Sequence, residues 1–241
     1  MKIDSNEIKQ VAAAELPRVD MYAGIHKALR ALMADTLLAV GRMDCDDALE
    51  RAQTVQRVLE LLDFCANHLK HENDFIHVAL EARAPGASEV IAHEHEEHLG
   101  AIGRLATAAG VLRDCAVIER PLAARQLYRQ LALFIADNFQ HMNVEETAHN
   151  AVLWARYTDV ELAAIHDALV ASIPPDEMMY TVRWLVPFMN PIERLGLLDG
   201  IRAKAPAPAF QAILDTVQPH LTQQEWVKLA RGLGITATEV W

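Results

Sequence analysis

The sequence predicts an all-α protein: an antiparallel up-down four-helix bundle over residues 1–173, then a smaller helical segment over residues 174–241. Three observations predict it. First, the composition is globular and favours helix. Hydrophobic residues make up 52% and charged residues 23%, there are only 10 glycines, and alanine-, leucine- and glutamate-rich stretches dominate. No convincing period-2 strand pattern interrupts them. Second, apolar residues return every three or four positions through four long stretches joined by short connections, the pattern of an up-down bundle. Third, a His-x3-Glu pair occurs twice, at His68/Glu72 and His141/Glu145, each on the inward line of its stretch.

The first helix is expected from Leu16-Pro17, since proline suits a first turn, to about Val40. Its inward line is Tyr22, Ile25/His26, Leu29, Met33 and Leu37, and Gly41 ends it. Asp44 to Asp47 supply acidic residues for the start of the second helix, which runs to about Ala82. Ala84-Pro-Gly-Ala-Ser88 reads as a turn, with Ser88 as the N-cap of the third helix. That third helix spans Glu89 to about Leu112, and the fourth runs from near Pro121 to about Trp154.

After Tyr157 the texture changes. Thr158-Asp-Val-Glu161 is a capping-box signature for a fifth helix ending near Ile173, and Pro174-Pro175 breaks it. Asp176 to Met189 reads as a helix rich in Met, Trp and Val. Asn190-Pro-Ile-Glu193 starts another, with cap, first-position proline and third-position glutamate in place. Ala205-Pro-Ala-Pro208 is a linker before two short helices, about 208–218 and 222–232, the latter capped by Thr222 with Glu225. The apolar stripe of Met178, Met179, Trp184, Leu185 and Met189 needs a covering surface, which the bundle of the same chain or of a homodimer mate would provide.

The net charge of −11 argues against nucleic acid and an anionic membrane surface as partners. The N-terminus carries no apolar signal core, and no run of about 18 apolar residues exists to span a bilayer. Cys45, Cys65 and Cys115 are odd in number and without paired spacing, so they read as reduced thiols of a cytoplasmic protein. Histidine is the outlier, with 11 residues, six of them between His68 and His98.

On a helix, Leu61, Cys65, His68, Glu72, Phe75 and Ala79 share one face, as do Phe134, Asn138, His141, Glu145, Ala148 and Val152. An imidazole and a carboxylate then point where core residues should point. Burying them is costly unless they are paired or bind a cation. Bundles build metal sites from such inward side chains. The first helix offers His26, the second His68 and Glu72, the third His95 and His98 with Glu94 as an alternative. The fourth offers His141 and Glu145, with Glu146 as an alternative. Imidazole and carboxylate suit iron first, then manganese, then zinc. Two carboxylates that can each bridge two ions fit a dinuclear centre, with Glu72 and Glu145 as bridges and the histidines as terminal ligands.

These residues resemble the hemerythrin-like, or HHE-type, cation-binding proteins. The order His, His-x3-Glu, one or two His, then His-x3-Glu or His-x4-acid matches across four helices, and Glu145 and Glu146 satisfy both forms of the last motif. Tyr22-Ala-Gly-Ile-His-Lys-Ala-Leu-Arg30 and Phe139-Gln-His-Met-Asn-Val-Glu-Glu146 carry the resemblance, which covers roughly residues 15 to 155. It implies a four-helix bundle holding two non-heme iron ions bridged by carboxylates and an oxo or hydroxo oxygen. It also implies a protein that binds, senses or reacts with oxygen, nitric oxide or peroxide, more a metal-binding sensor than a dedicated enzyme. The alternative is a metal- or redox-dependent module whose C-terminal helices contact a partner. One departure stands out. The oxygen carriers of the family have His-x3-His on the third helix, whereas this chain pairs Glu94 with His98 and Ile91 with His95 at that spacing. Either the site has one imidazole fewer, or His95 and His98 both bind.

The remaining histidines have plainer readings. His71, His77 and His93 lie off the inward lines and read as solvated or supporting residues. His149 follows Glu145 by four, and helical drift makes it peripheral. His166 and His220 fall outside the bundle pattern. Cys65 reads as a small apolar core residue, and Tyr22, one turn before His26, as a packed aromatic.

Overall fold

The computed structural model describes residues 18–236; the expected helix start at Leu16-Pro17 and the extreme N-terminus lie outside the described residues. The first helix, α1 (Ala23–Arg42), follows Asp20, whose carboxylate accepts from the backbone of Tyr22 and Ala23, both at 2.9 Å. Ala28, Leu29, Leu32, Met33 and Thr36 are its buried line. Gly41 lies inside the helix rather than past its end. A Cβ there would come within 2.9 Å of the Tyr128 ring, so the missing side chain lets the fourth long helix approach.

The second helix starts where the acidic cluster placed it. Asp47 caps α2 (Ala48–His71), accepting from the backbone of Leu49 and Glu50. The helix then runs on through a π-helical stretch, Glu72–His77, into α3 (Val78–Arg83). Ser88 stands at the N-cap position that the sequence suggested, but its side chain makes no capping bond. Its hydroxyl and amide donate to Glu81, which also accepts from the Gly86 amide, so the turn is clamped from the helix before it. Gly86 has a φ of 84°, left-handed backbone that favours glycine. The third long helix is α4 (Glu89–Asp114). The fourth is α5 (Arg120–Val144), a second π-helical stretch at Glu145–His149, and α6 (Asn150–Arg156). Thr158 and Glu161 exchange the expected reciprocal bonds ahead of α7 (Asp159–Ser172).

Contacts at the helix ends fix the directions. The Trp154 indole donates to the Val19 carbonyl at 3.0 Å, so the end of the fourth helix meets the start of the first. Arg120 reaches Asp46 at 3.4 Å, so the second and fourth helices start side by side. Arg57 pairs with Asp35 at 2.6 Å between the first and second. Successive helices therefore alternate in direction, as an up-down bundle requires.

A second compact unit comprises residues 173–236 of the described chain together with Gly24–Ala31 of α1. Its helices are α8 (Pro175–Leu185), α9 (Pro191–Lys204), α10 (Ala207–Val217) and α11 (Gln223–Leu233). The unit has a core of its own, in which Val182, Val186, Leu198, Phe210, Leu214 and Trp226 are buried with Met178 and Met179 packed against them. Part of the methionine stripe is thus spent inside the unit. Asn190 with Glu193 and Thr222 with Glu225 form the two capping boxes expected in this segment. The Lys27 ammonium meets Glu193 at 2.6 Å within this same unit. Among the described residues there is no strand, and no helix is long and apolar enough to cross a membrane.

Candidate metal centre

The inward lines of the bundle converge on two carboxylates. Glu72 is 2% exposed and Glu145 fully buried. Each stands at the first residue of a π-helical stretch, one turn after a histidine of its own helix. Glu72 spreads its two oxygens over two sets of imidazoles: Oε1 lies 3.1 Å from His68 Nε2, and Oε2 lies 3.6 Å from His95 Nε2. Glu145 sets Oε1 3.5 Å from His95 Nε2 and Oε2 3.4 Å from His141 Nε2. The Nε2 atoms of His95 and His141 are themselves 3.1 Å apart. Donor atoms of Glu72, His95, His141 and Glu145 all lie within 4.8 Å of one another, close enough for one cation to gather them with small adjustments.

The outer nitrogens of these rings are held in place. His95 Nδ1 meets the Asn73 side-chain oxygen at 2.8 Å, and His141 Nδ1 meets Glu94 at 2.8 Å. Metal-binding imidazoles are oriented in this way, the outer N–H donating so that the inner nitrogen offers its lone pair. Glu94, an alternative ligand on sequence grounds, therefore acts on the far side of His141. His98 is buried beside His141, with ring centroids 4.7 Å apart, but its Nε2 turns to Asp137 at 3.0 Å. It joins none of the His/Glu groups in which donor atoms converge. His26 is completely buried on α1.

Two histidines set aside by the helical periodicity also belong here. His77 and His149 close their respective π-helical stretches and converge with Glu145, their donor atoms again within 4.8 Å. His77 stacks on His95 at 4.8 Å between centroids. His149 Nδ1 is 3.0 Å from the Tyr22 hydroxyl, so Tyr22 does more than pack. The signal that could have found them is the repeat itself, a further histidine four or five residues after each glutamate. For His77, five residues on, it is hidden because an α-helical wheel turns that position away and the wider π turn brings it back, whereas His149, four residues on, falls at the edge of the α-helical face.

Burial and charge divide the proton affinities. Burial drives the His77 pKa down to about 4, helped by His95 and His149. His98 and His149 fall for the same first reason. His141 goes the other way. Burial opposes protonation, but the Glu145, Glu94 and Glu72 carboxylates together outweigh it and lift the pKa to about 9. For Glu145, burial and the neighbouring Glu72 charge favour the acid, and the His141 and His95 bonds hold it below the usual carboxylate range. Burial, with Glu72 and Glu145 next, raises the Tyr22 phenol well above its ordinary value, so it keeps its proton. Cys65, pushed up to about 12 by burial alone, is an inert core thiol and no ligand. The donor set is nitrogen and oxygen only and buried but for a partly exposed His68, which fits a borderline or hard transition-metal ion. A groove of about 860 Å³ between α4 and α5, lined by Arg104, Gln130 and Asp137 among others, has none of the converging donors in its wall.

The hemerythrin HHE cation-binding domain matches residues 18–149 of the chain. No curated protein and no solved structure matches it.

Proposed function

Because the chain belongs to the hemerythrin HHE cation-binding family, we propose that its buried His/Glu cluster holds a pair of iron ions for a small diatomic or peroxide ligand. His95, His141 and Glu145 would hold one ion, His26 and His68 the other, and Glu72 would serve both. The observation that carries this reading is the placement of Glu72, whose two oxygens face two different imidazole sets at 3.1 and 3.6 Å. Ions bridged in this way sit about 3.5–4 Å apart. An iron pair supplies electrons and an open coordination position. The chain supplies the rest. Asn73 and Glu94 fix the rings, burial keeps water out, and the protonated Tyr22 phenol gives the layer beside Glu145 a hydrogen-bond donor.

Metal analysis with a visible spectrum tests this. The parent should hold at least two irons per chain. His26→Ala should lose one and Glu72→Ala at least two, while a change that only loosens a supporting bond, such as Asn73→Ala, should cost about 10- to 100-fold in affinity. A parent that never holds more than one ion overturns the dinuclear reading.

A sensing role is a second reading, favoured by one observation. His26 lies in Gly24–Ala31, the turns of α1 that group with the C-terminal helices. Metal loss at His26 would thus be felt in the helix that also carries Lys27 to Glu193.

A further inference from the structure

We propose that His77, Glu145 and His149 form a third cation position, beyond the iron pair, for a divalent transition-metal ion of the iron, manganese or zinc kind. The donors come from the ends of the two π-helical stretches, and their ligating atoms lie within 4.8 Å of one another. His77 is 6% exposed, His149 3% and Glu145 fully buried. The Nε2 atoms of both histidines are buried without a hydrogen-bond partner. A buried polar nitrogen left in that state is costly, and two beside one carboxylate are better explained by a cation that satisfies both.

The supporting geometry agrees. The Tyr22 hydroxyl oxygen lies 3.0 Å from His149 Nδ1, placed to accept the Nδ1–H, which leaves the Nε2 lone pair for a cation, the arrangement that orients metal-bound imidazoles. The His77 ring is fixed by stacking on His95 at 16° between planes, with its edge arrangement to His149 at 5.5 Å. The chain repeats the design: His68, Glu72 and His77 on one helix, His141, Glu145 and His149 on the other. Two imidazoles and one carboxylate leave coordination positions open, a donor set known for non-heme iron(II). The carboxylate is shared, so this position rests on the proposed function only through Glu145.

The test is stoichiometry. Chelated full-length protein is reloaded without oxygen with iron(II) alone and, separately, zinc(II) alone, stripped of loose metal by gel filtration, and counted by elemental analysis. The parent should hold three ions of at least one metal. His77→Gln/His149→Gln should hold two, and His26→Ala should also hold two while keeping the third position. A parent limited to two ions with both metals overturns the proposal, whatever the variants do. So does a double variant that still holds three. If the double variant does not fold, Tyr22→Phe decides. It should weaken one of the three equivalents by about tenfold and spare two; three unchanged affinities overturn the proposal. If Glu72→Ala still holds all three ions of the parent and the double variant holds two, the dinuclear reading fails and this position stands.

Discussion

Glu81 shows how one side chain can set the geometry around a site it does not enter. Its carboxylate accepts from the amides of Gly86 and Ser88 and from the Ser88 hydroxyl, and the first of these bonds leads in holding its pKa down to about 2. A folded-state pKa below the unfolded value gives stability that is present above about pH 4.5 and lost as pH falls toward 2. Glu81→Gln should therefore melt at a lower temperature than the parent at pH 7, and the gap should close progressively below pH 4.5. A gap that persists undiminished at pH 3 in thermal melts would show that the carboxylate charge is not what the turn uses. The sequence did not show this residue, because the Ser88 position reads equally well as an N-cap. At the metal cluster, residue-level reading went further. His68, Glu72, His95, His141 and Glu145 were legible because α-helical spacing alone brings each to an inward line. His77 was not, because its placement depends on a backbone irregularity that no propensity encodes, and neither was His149, at the edge of the α-helical face.

At the scale of elements, long helices were legible from periodicity and their starts from capping chemistry at Asp47, Asn190, Thr158 and Thr222. What stayed hidden was the change of pitch at Glu72–His77 and Glu145–His149. Such stretches are rare and tend to occur at functional sites. Here they start at the two glutamates that face the imidazoles. Equally hidden was Arg194 in the C-terminal unit, which sequence reading passes over as a helical surface residue. It is 3% exposed. Its guanidinium donates to the carbonyls of Val186, Pro187 and Met189, all just past the end of α8, and meets Glu225 of α11 at 3.1 Å. Arg194→Met keeps the length and strands those carbonyls. It should destabilise the unit by about 2–4 kcal/mol, since each stranded buried acceptor costs roughly 1–3 kcal/mol and some admit water. Denaturant melts followed by Trp226 fluorescence measure it, and a loss under about 0.5 kcal/mol, the range of an ordinary surface change, would refute the bracing role.

Among the described residues each of the two compact units buries apolar residues of its own, the bundle beside the His/Glu cluster and the C-terminal helices around Val182, Leu198 and Trp226. Metal acts on the first directly. A cation that binds only the folded state adds RT ln(1 + [L]/Kd), about 2.7 kcal/mol at a hundredfold excess over Kd. In a chain of this length 1 kcal/mol shifts the melting temperature by about 2–4 °C, so chelation should lower the bundle transition by roughly 5–10 °C. Calorimetry on the full chain distinguishes the two functional readings. If the protein only holds its metal pair, the transition carrying Trp226 should stay where it is on chelation. If His26 passes metal occupancy along α1 into the second unit, both transitions should fall together, and His26→Ala should reproduce the shift of the second without added chelator. Should verified metal removal leave every transition unmoved, the linkage of folding to metal fails, and the buried cluster of Glu72, Glu145 and their imidazoles would have to be stable by its own hydrogen bonds.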